Sequence, residues 1–188
     1  MSTARRLRIG GGSRRGLEIR APSDIRPTSG RLREALFNVW AARLEGCRFL
    51  DLFAGSGAVG IEAASRGAAR ALLVEADRGV IALLRRNRLR AGLPAVEQLY
   101  ARLPSGLARH LPAEERFDLV FADPPYGFDQ FEALLAAVRP HLARQGEIAV
   151  EHRWRDGQPD PVDGLEAFRS RRYGDSGLTL FRRSAQPG

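Results

Sequence analysis

Between residues 47 and 151 the chain alternates short apolar runs with amphipathic stretches, and this alternation is its strongest constraint on fold. The apolar runs are 47–52, 70–75, 95–100, 117–122 and 146–151. Helical spacing fills the gaps at 57–66, 78–91 and 128–139, with a weaker helix near 104–111; Gly92 and Pro94 stop the longest of them. Strands that are apolar on both faces belong to a parallel sheet covered by helices on each side. The tail breaks the pattern. Residues 167–173 and 178–181 flank Gly174-Asp175-Ser176-Gly177, which reads as a closing antiparallel hairpin.

The first 27 residues read as a separate element, with the remaining 28–188 forming the main domain. Leu7-Arg8-Ile9 and Leu17-Glu18-Ile19 alternate around Gly10-Gly11-Gly12-Ser13, a β-hairpin pattern. Arg26-Pro27-Thr28-Ser29 then halts the chain and can cap a helix over 30–43, which places Leu32, Leu36, Val39 and Trp40 on one face.

All 30 basic residues are arginine, and the formal net charge is +8. A bias toward arginine says little about partners; its placement says more. Residues 1–33 hold nine arginines against Glu18 and Asp24, which leaves the other 155 residues near neutrality. A local basic segment is the electrostatic footprint of a phosphate-backbone contact. The alternative is a solvated arm.

The single cysteine, Cys47, excludes an internal disulfide and is expected to pack in the core. His110, His141 and His152 have no partner at metal spacing, so no metal is expected. No apolar run approaches the roughly 18–20 residues needed to cross a bilayer. The basic opening Met1 to Gly12 has no apolar segment of the secretory kind. A cytoplasmic protein with no membrane partner is the expectation, and a monomer.

Three acids fall at strand ends, where ligands of open α/β sheets bind. Asp51 leads into Phe53-Ala54-Gly55-Ser56-Gly57, and Gly55-Ser56-Gly57-Ala58-Val59-Gly60 matches GxGxxG. That motif alone fits a dinucleotide as well as S-adenosylmethionine. Glu75 closes the next strand, where a carboxylate can accept hydrogen bonds from ribose hydroxyls, and is followed by Ala76 and Asp77. Asp51 favours S-adenosylmethionine. A carboxylate four residues before Gly55 repels a pyrophosphate and attracts an ammonium or sulfonium, by on the order of a few kcal/mol at about 4 Å.

The third acid opens Asp123-Pro124-Pro125-Tyr126. The exocyclic amine of a purine is a poor nucleophile, because its lone pair is delocalised into the ring. Asp123 can accept one N–H and the Pro124 carbonyl the other; Pro125 restricts Pro124, so that carbonyl points one way. Tyr126 can stack on the base, worth roughly 1–3 kcal/mol. Most of the rate would come from in-line positioning. A parallel sheet with an antiparallel tail, this loop and this tetrapeptide describe a class I S-adenosylmethionine-dependent methyltransferase: Rossmann-like, seven-stranded, with a small N-terminal hairpin added.

The chain resembles the RsmD-like family of small-subunit ribosomal RNA guanine-N2 methyltransferases over roughly residues 7 to 183. The resemblance rests on Arg26-Pro27-Thr28 with Arg33-Glu34-Ala35-Leu36-Phe37-Asn38, Asp51 to Gly57, Glu75-Ala76-Asp77-Arg78, Asp123 to Tyr126, and Tyr173-Gly174-Asp175-Ser176. It implies S-adenosylmethionine as donor and N2 of a guanine in 16S rRNA as acceptor, within a 30S subunit or precursor. It also implies RNA contacts from the basic N-terminal part: Arg5, Arg6, Arg8, Arg14, Arg15, Arg26, Thr28, Arg31 and Arg33. One departure stands out. The family usually has an acid after the third strand that helps hold the adenine amine, and here Tyr100-Ala101-Arg102 has none. A lost hydrogen bond of that kind is worth about 0.5–1.5 kcal/mol, so weaker cofactor affinity is expected rather than inactivity. Arg102 can instead stack on the adenine.

Two other functions fit part of this pattern. An adenine-N6 methyltransferase acting on DNA or RNA uses the same tetrapeptide, but commonly needs a target-recognition domain for which 188 residues leave little room. A non-catalytic rRNA-binding assembly factor would keep the fold without turnover, and the three strand-end acids argue against it. A nicotinamide dehydrogenase is weakest, since no proton relay is present.

Overall fold

A computed structural model describes residues 5–22 and 29–185. Its centre is a seven-stranded sheet in the order β5-β4-β3-β6-β7-β9-β8. The strands are β3 (Arg48–Leu52), β4 (Arg70–Glu75), β5 (Val96–Tyr100), β6 (Phe117–Ala122), β7 (Leu142–Arg153), β8 (Leu165–Tyr173) and β9 (Ser176–Arg183). The first five are mutually parallel; β9 inserts antiparallel between β7 and β8. Leu50, Leu52, Val74, Val120 and Ala122 are buried on one face; Phe49, Ala71, Leu73, Leu119 and Phe121 are buried on the other. Both faces are therefore covered, as the unbroken apolar runs require.

The helices divide between the faces. α4 (Leu107–His110) and α5 (Phe131–Val138) cover one; α1 (Gly30–Val39), α2 (Ala58–Ser65) and α3 (Arg78–Ala91) cover the other. Ser29 caps α1 by accepting the Leu32 N–H at 3.1 Å, and Asp77 caps α3 by accepting that of Val80 at 2.9 Å. The expected helix over 30–43 is an α-helix only to Val39, followed by a 3-10 turn at Ala41–Arg43. The helix expected from 128 begins at Phe131. The strand expected from 146 begins at Leu142, because Ala143 to Gly146 form an irregularity between two stretches paired with β6.

The N-terminal hairpin, β1 (Arg5–Arg8) and β2 (Glu18–Ala21), forms its own two-stranded sheet but shares the main core. Ile9 and Ile19 are buried among α1 and α2 side chains. The Gly10 N–H donates to Glu62 at 2.9 Å, the Arg14 N–H to Ser65 Oγ at 2.7 Å, and Ser65 Oγ to the Gly11 carbonyl at 2.7 Å. Gly12 has φ of 75°, and a Cβ there would lie 1.8 Å from the Ser65 carbonyl oxygen. The glycine run is therefore a close approach between loop and helix, not a spacer.

Cys47 is buried just before β3, as its apolar setting predicts, and burial pushes its thiol up to about 12. Among the described residues no helix is long and apolar enough to cross a membrane, and no group of three or more His, Cys, Asp or Glu side chains is arranged to hold a metal ion.

Candidate active site

The chain runs from β3 outward to β4 and β5, then returns to place β6 on the opposite side of β3. Strand order reverses between β3 and β6, and the loops leaving their carboxyl ends diverge there. This is where open α/β sheets form their ligand crevice. A cleft of about 1380 Å³ opens at that point. Asp51, Phe53 to Ser56, Glu75 to Asp77, Arg102 and Asp123 to Tyr126 all line it; Gly57 lies behind, in the packing.

The glycine loop is held from within. Glu75 Oε2 accepts the Gly55 N–H at 2.9 Å, while Oε1 accepts those of Ala76 at 2.7 Å and Asp77 at 2.9 Å. A carboxylate offers about four acceptor positions. Three are used by the main chain, so Glu75 has room for a single ligand hydroxyl where the strand-end position alone suggested a pair. The two loop glycines have different tasks. A Cβ on Gly57 would lie 2.3 Å from Leu84, so that position permits α2 to pack; a Cβ on Gly55 would meet only the Phe53 carbonyl, 3.9 Å away.

Phe53 adopts φ of 59°, the left-handed region, where a bulky residue is an outlier. Its ring meets Phe128 edge-on at 5.3 Å, and Phe128 meets Phe131 at 5.2 Å. This aromatic chain ties the glycine loop to the segment after Tyr126. The Phe128 N–H donates to the Pro125 carbonyl at 3.1 Å and closes the turn, which leaves the Pro124 carbonyl as the other acceptor of the pair. Its spacing places Phe128 in the helix after the tetrapeptide and gives no sign of this role.

Asp51 is 2 % exposed and accepts the Gly60 N–H at 2.8 Å. Burial, with the nearby Asp123 and Glu75 carboxylates, pushes its carboxyl up to about 8, partly offset by that N–H. Tyr126 is 63 % exposed, and the Arg153 guanidinium carbon lies 5.2 Å from its ring centre. Cation–π contact of this kind orients the ring. Ser176 donates to Glu151 at 2.8 Å on the opposite wall of the cleft, where Tyr173 also stands. Arg153 and Glu151 end β7, next to Asp123 in the parallel register, and only that pairing reveals them. Asn87 is equally hidden in the sequence. Its side-chain N–H groups donate to the carbonyls of Ser56 at 2.8 Å and Arg20 at 2.7 Å, joining glycine loop to hairpin.

The expected RNA-contacting residues divide. Arg5, Arg15 and Arg31 are exposed and make no side-chain hydrogen bond or ion pair among the described residues. Arg6 and Arg8 are exposed but pair with Glu18 at 3.3 and 3.0 Å. Arg14 turns across the hairpin to the carbonyls of Ala91 and Gly92 at the end of α3, at 2.7 and 3.4 Å. Arg33 requires a correction: its guanidinium is buried, bound to Glu62 at 3.0 Å and to the Arg8 carbonyl at 2.7 Å, so it faces the core and not a phosphate. Arg26 and Thr28 lie outside the described residues. Ala101 is buried and Arg102 is exposed at the cleft, where the acid is missing.

Known proteins resemble this chain along most of its length. The family model described as "Conserved hypothetical protein 95" matches residues 7–182. The "Ribosomal RNA small subunit methyltransferase D" of Escherichia coli strain K12 is 35% identical over 186 residues, covering 96% of this chain and 91% of that protein. The solved structure of a hypothetical protein from Thermus thermophilus superposes with a TM-score of 0.79 at 36% identity, covering 94% of this chain and 99% of that one. A ribosomal protein L11 methylase from Lactobacillus delbrueckii superposes at 0.67 with 16% identity, covering 89% of this chain and 86% of that one, a likeness of fold alone. The fold is that of class I methyltransferases.

Proposed function

The chain belongs to the family described as Conserved hypothetical protein 95, and from that membership we propose that it methylates the exocyclic N2 amine of a guanine in small-subunit (16S) ribosomal RNA, with S-adenosylmethionine as donor. The observation that carries this reading is the position of Asp123-Pro124-Pro125-Tyr126. It leaves β6 across the strand-order reversal from the glycine loop, in the same cleft.

The residues present fit that cofactor. A ligand bearing an ammonium and a sulfonium relieves what burial and two neighbouring acids impose on Asp51. Glu75 keeps one acceptor position for a ribose hydroxyl, and Arg102 stands where an adenine can stack. Once bound, S-adenosylmethionine supplies an electrophilic methyl group. Asp123 accepts one N–H of the guanine amine and the Pro124 carbonyl the other, which turns the nitrogen lone pair out of the ring plane. Tyr126, braced by Arg153, stacks on the base. As the nitrogen gains a carbon it sheds a proton, and the Asp123 carboxylate that held that hydrogen receives it. Holding the amine in line contributes most of the acceleration.

The test is methyl transfer from labelled S-adenosylmethionine to 16S rRNA and to 30S subunits taken from cells lacking the enzyme, followed by mass spectrometry of the nucleosides. One new N2-methylguanosine is expected. N6-methyladenosine would refute the base, and unlabelled rRNA would refute the activity.

A further inference from the structure

A second depression lies outside the cleft. It is an open groove of about 360 Å³ between α1 and the edge strand β8, lined by Ala35, Asn38, Val39, Arg169, Arg171 and Tyr173. Tyr173 lines both this groove and the large cleft, so the two join at that side chain.

The arginines reach the groove through a bulge. Side chains alternate faces along a strand, so Leu165, Ala167, Arg169 and Arg171 would ordinarily share one face. Leu165 and Ala167 do pack on the α5 side. Between Ala167 and Arg169 the pairing with β9 slips by one residue: Ala167 opposes Phe181, and Arg169 opposes Leu180. Leu180 and Leu178, which oppose Arg169 and Arg171, belong to the face that α1 covers. The extra residue therefore turns Arg169, Arg171 and Tyr173 toward α1, as bulges re-aim side chains.

The cationic groups here are uncommitted. Arg169 and Arg171 are exposed and make no side-chain hydrogen bond or ion pair among the described residues. Three hairpin arginines differ, because Arg6 and Arg8 answer Glu18 and Arg14 answers main-chain carbonyls; Arg5 and Arg15 make no such contact among the described residues. Arg31 stands one helical turn before Ala35 on the same stripe of α1 and adds a third such cation. Of the nearby acids, Glu166 is paired with Arg182 at 2.6 Å, while Glu34 and Asp175 are exposed without an ion pair among the described residues.

We propose that the groove between α1 and β8 seats the sugar–phosphate backbone of the RNA strand beside the target base, with Arg169, Arg171 and Arg31 as phosphate contacts. The proposal rests on the rRNA methyltransferase reading above. The charge of the groove suits a polyanion, and its junction with the cleft at Tyr173 gives a strand a continuous path to Asp123. The flank of the target is then held by the C-terminal hairpin and α1, and Arg169 and Arg171 lie outside the basic segment that the charge distribution of the sequence singles out.

The experiment is a salt titration of binding to 16S rRNA and to 30S subunits from cells lacking the enzyme, comparing wild type with R169A/R171A, R169K/R171K and the hairpin variant R5A/R15A. Each lost phosphate contact should make the slope of log K against log salt shallower by about 0.7–0.9. R169A/R171A should lose about 1.4–1.8 in slope on both RNAs and raise KM, with Tm and S-adenosylmethionine affinity unchanged. The lysine pair should keep the slope. Unchanged slopes in R169A/R171A, with wild type binding and methylating normally, would overturn the groove alone. Wild type with no affinity for either RNA would overturn the functional reading too. A loss on 30S subunits but not on naked rRNA would assign the groove to a ribosomal protein and refute the proposal.

Discussion

Asp51 and Glu62 are both buried carboxylates, 2 % and 1 % exposed, and α2 hydrogen-bonds to one and carries the other. Their surroundings are opposite. Glu62 is enclosed by donors: the Arg33 guanidinium at 3.0 Å, that of Arg66 at 2.7 Å and the Gly10 N–H at 2.9 Å. It fastens hairpin, α1 and α2 together. Asp51 has one N–H, no cation pairs with it among the described residues, and its nearest charges are two more acids. A buried charge is tolerable when partnered and costly when not. The paired carboxylate belongs to the architecture. The other is held at the cleft in an environment that a proton or a cationic ligand relieves.

Breaking the paired member should have the largest effect. Glu62→Ala leaves Arg33 buried without its partner, and urea denaturation should show a loss of about 3–5 kcal/mol; a loss below about 1 kcal/mol would mean the cluster does not anchor the hairpin. On the cleft side, Asp123→Ala should slow methyl transfer by about 10²–10³-fold. Calorimetric S-adenosylmethionine binding should persist in that variant, and undiminished turnover would sink the mechanism.

Asp51 makes a prediction of opposite sign to a paired acid. Its folded-state value of about 8 lies above the unfolded value near 4, so the folded protein holds a proton that the unfolded chain releases. Stability should therefore fall as pH rises toward 8. His141 and His152, lowered by burial, work the other way only up to about pH 6.5, and the Cys47 thiol contributes above 9. Between pH 6.5 and 8 the decline belongs to Asp51, and Asp51→Asn should flatten it in thermal melts. Binding of S-adenosylmethionine at pH 7 should release a proton, read as a buffer-dependent calorimetric enthalpy; no dependence would overturn the assignment. Smaller again, Ser29→Ala removes the α1 cap and should cost about 1 kcal/mol. Least of all, Glu18→Ala cuts only solvent-exposed pairs with Arg6 and Arg8 and should leave the melting curve unchanged within error.

The sheet was legible in the sequence because burial on both faces leaves unbroken apolar runs such as Phe117–Ala122, whose ends the structure reproduces. Helix α3 was equally legible over 78–91, with Gly92 marking its end. The cleft acids could be found because each closes a strand. What stayed hidden depends on partners distant in sequence. Arg33 looks like any exposed basic residue until Glu62, 29 positions away, comes beside it. Arg14 finds its carbonyl 77 positions on, and Asn87 joins Arg20 to Ser56 across 67 and 31. Helix α5 starts late because Phe128 is held by Phe53, a tertiary contact that local periodicity does not register.

The bulge at residues 167–169 has a consequence beyond the groove it fills. Register is counted in whole residues, so which side of the sheet bears Arg169 and Arg171 depends on a parity. Closing the slip without deleting a residue, so that Phe168 and not Arg169 opposes Leu180, would remove no cation and leave the net charge of +8 untouched. Yet the whole row would be carried to the α5 side, and Tyr173 would leave the cleft with it. In this strand, register by a single residue decides where charge resides, and conservative change of residue type does not.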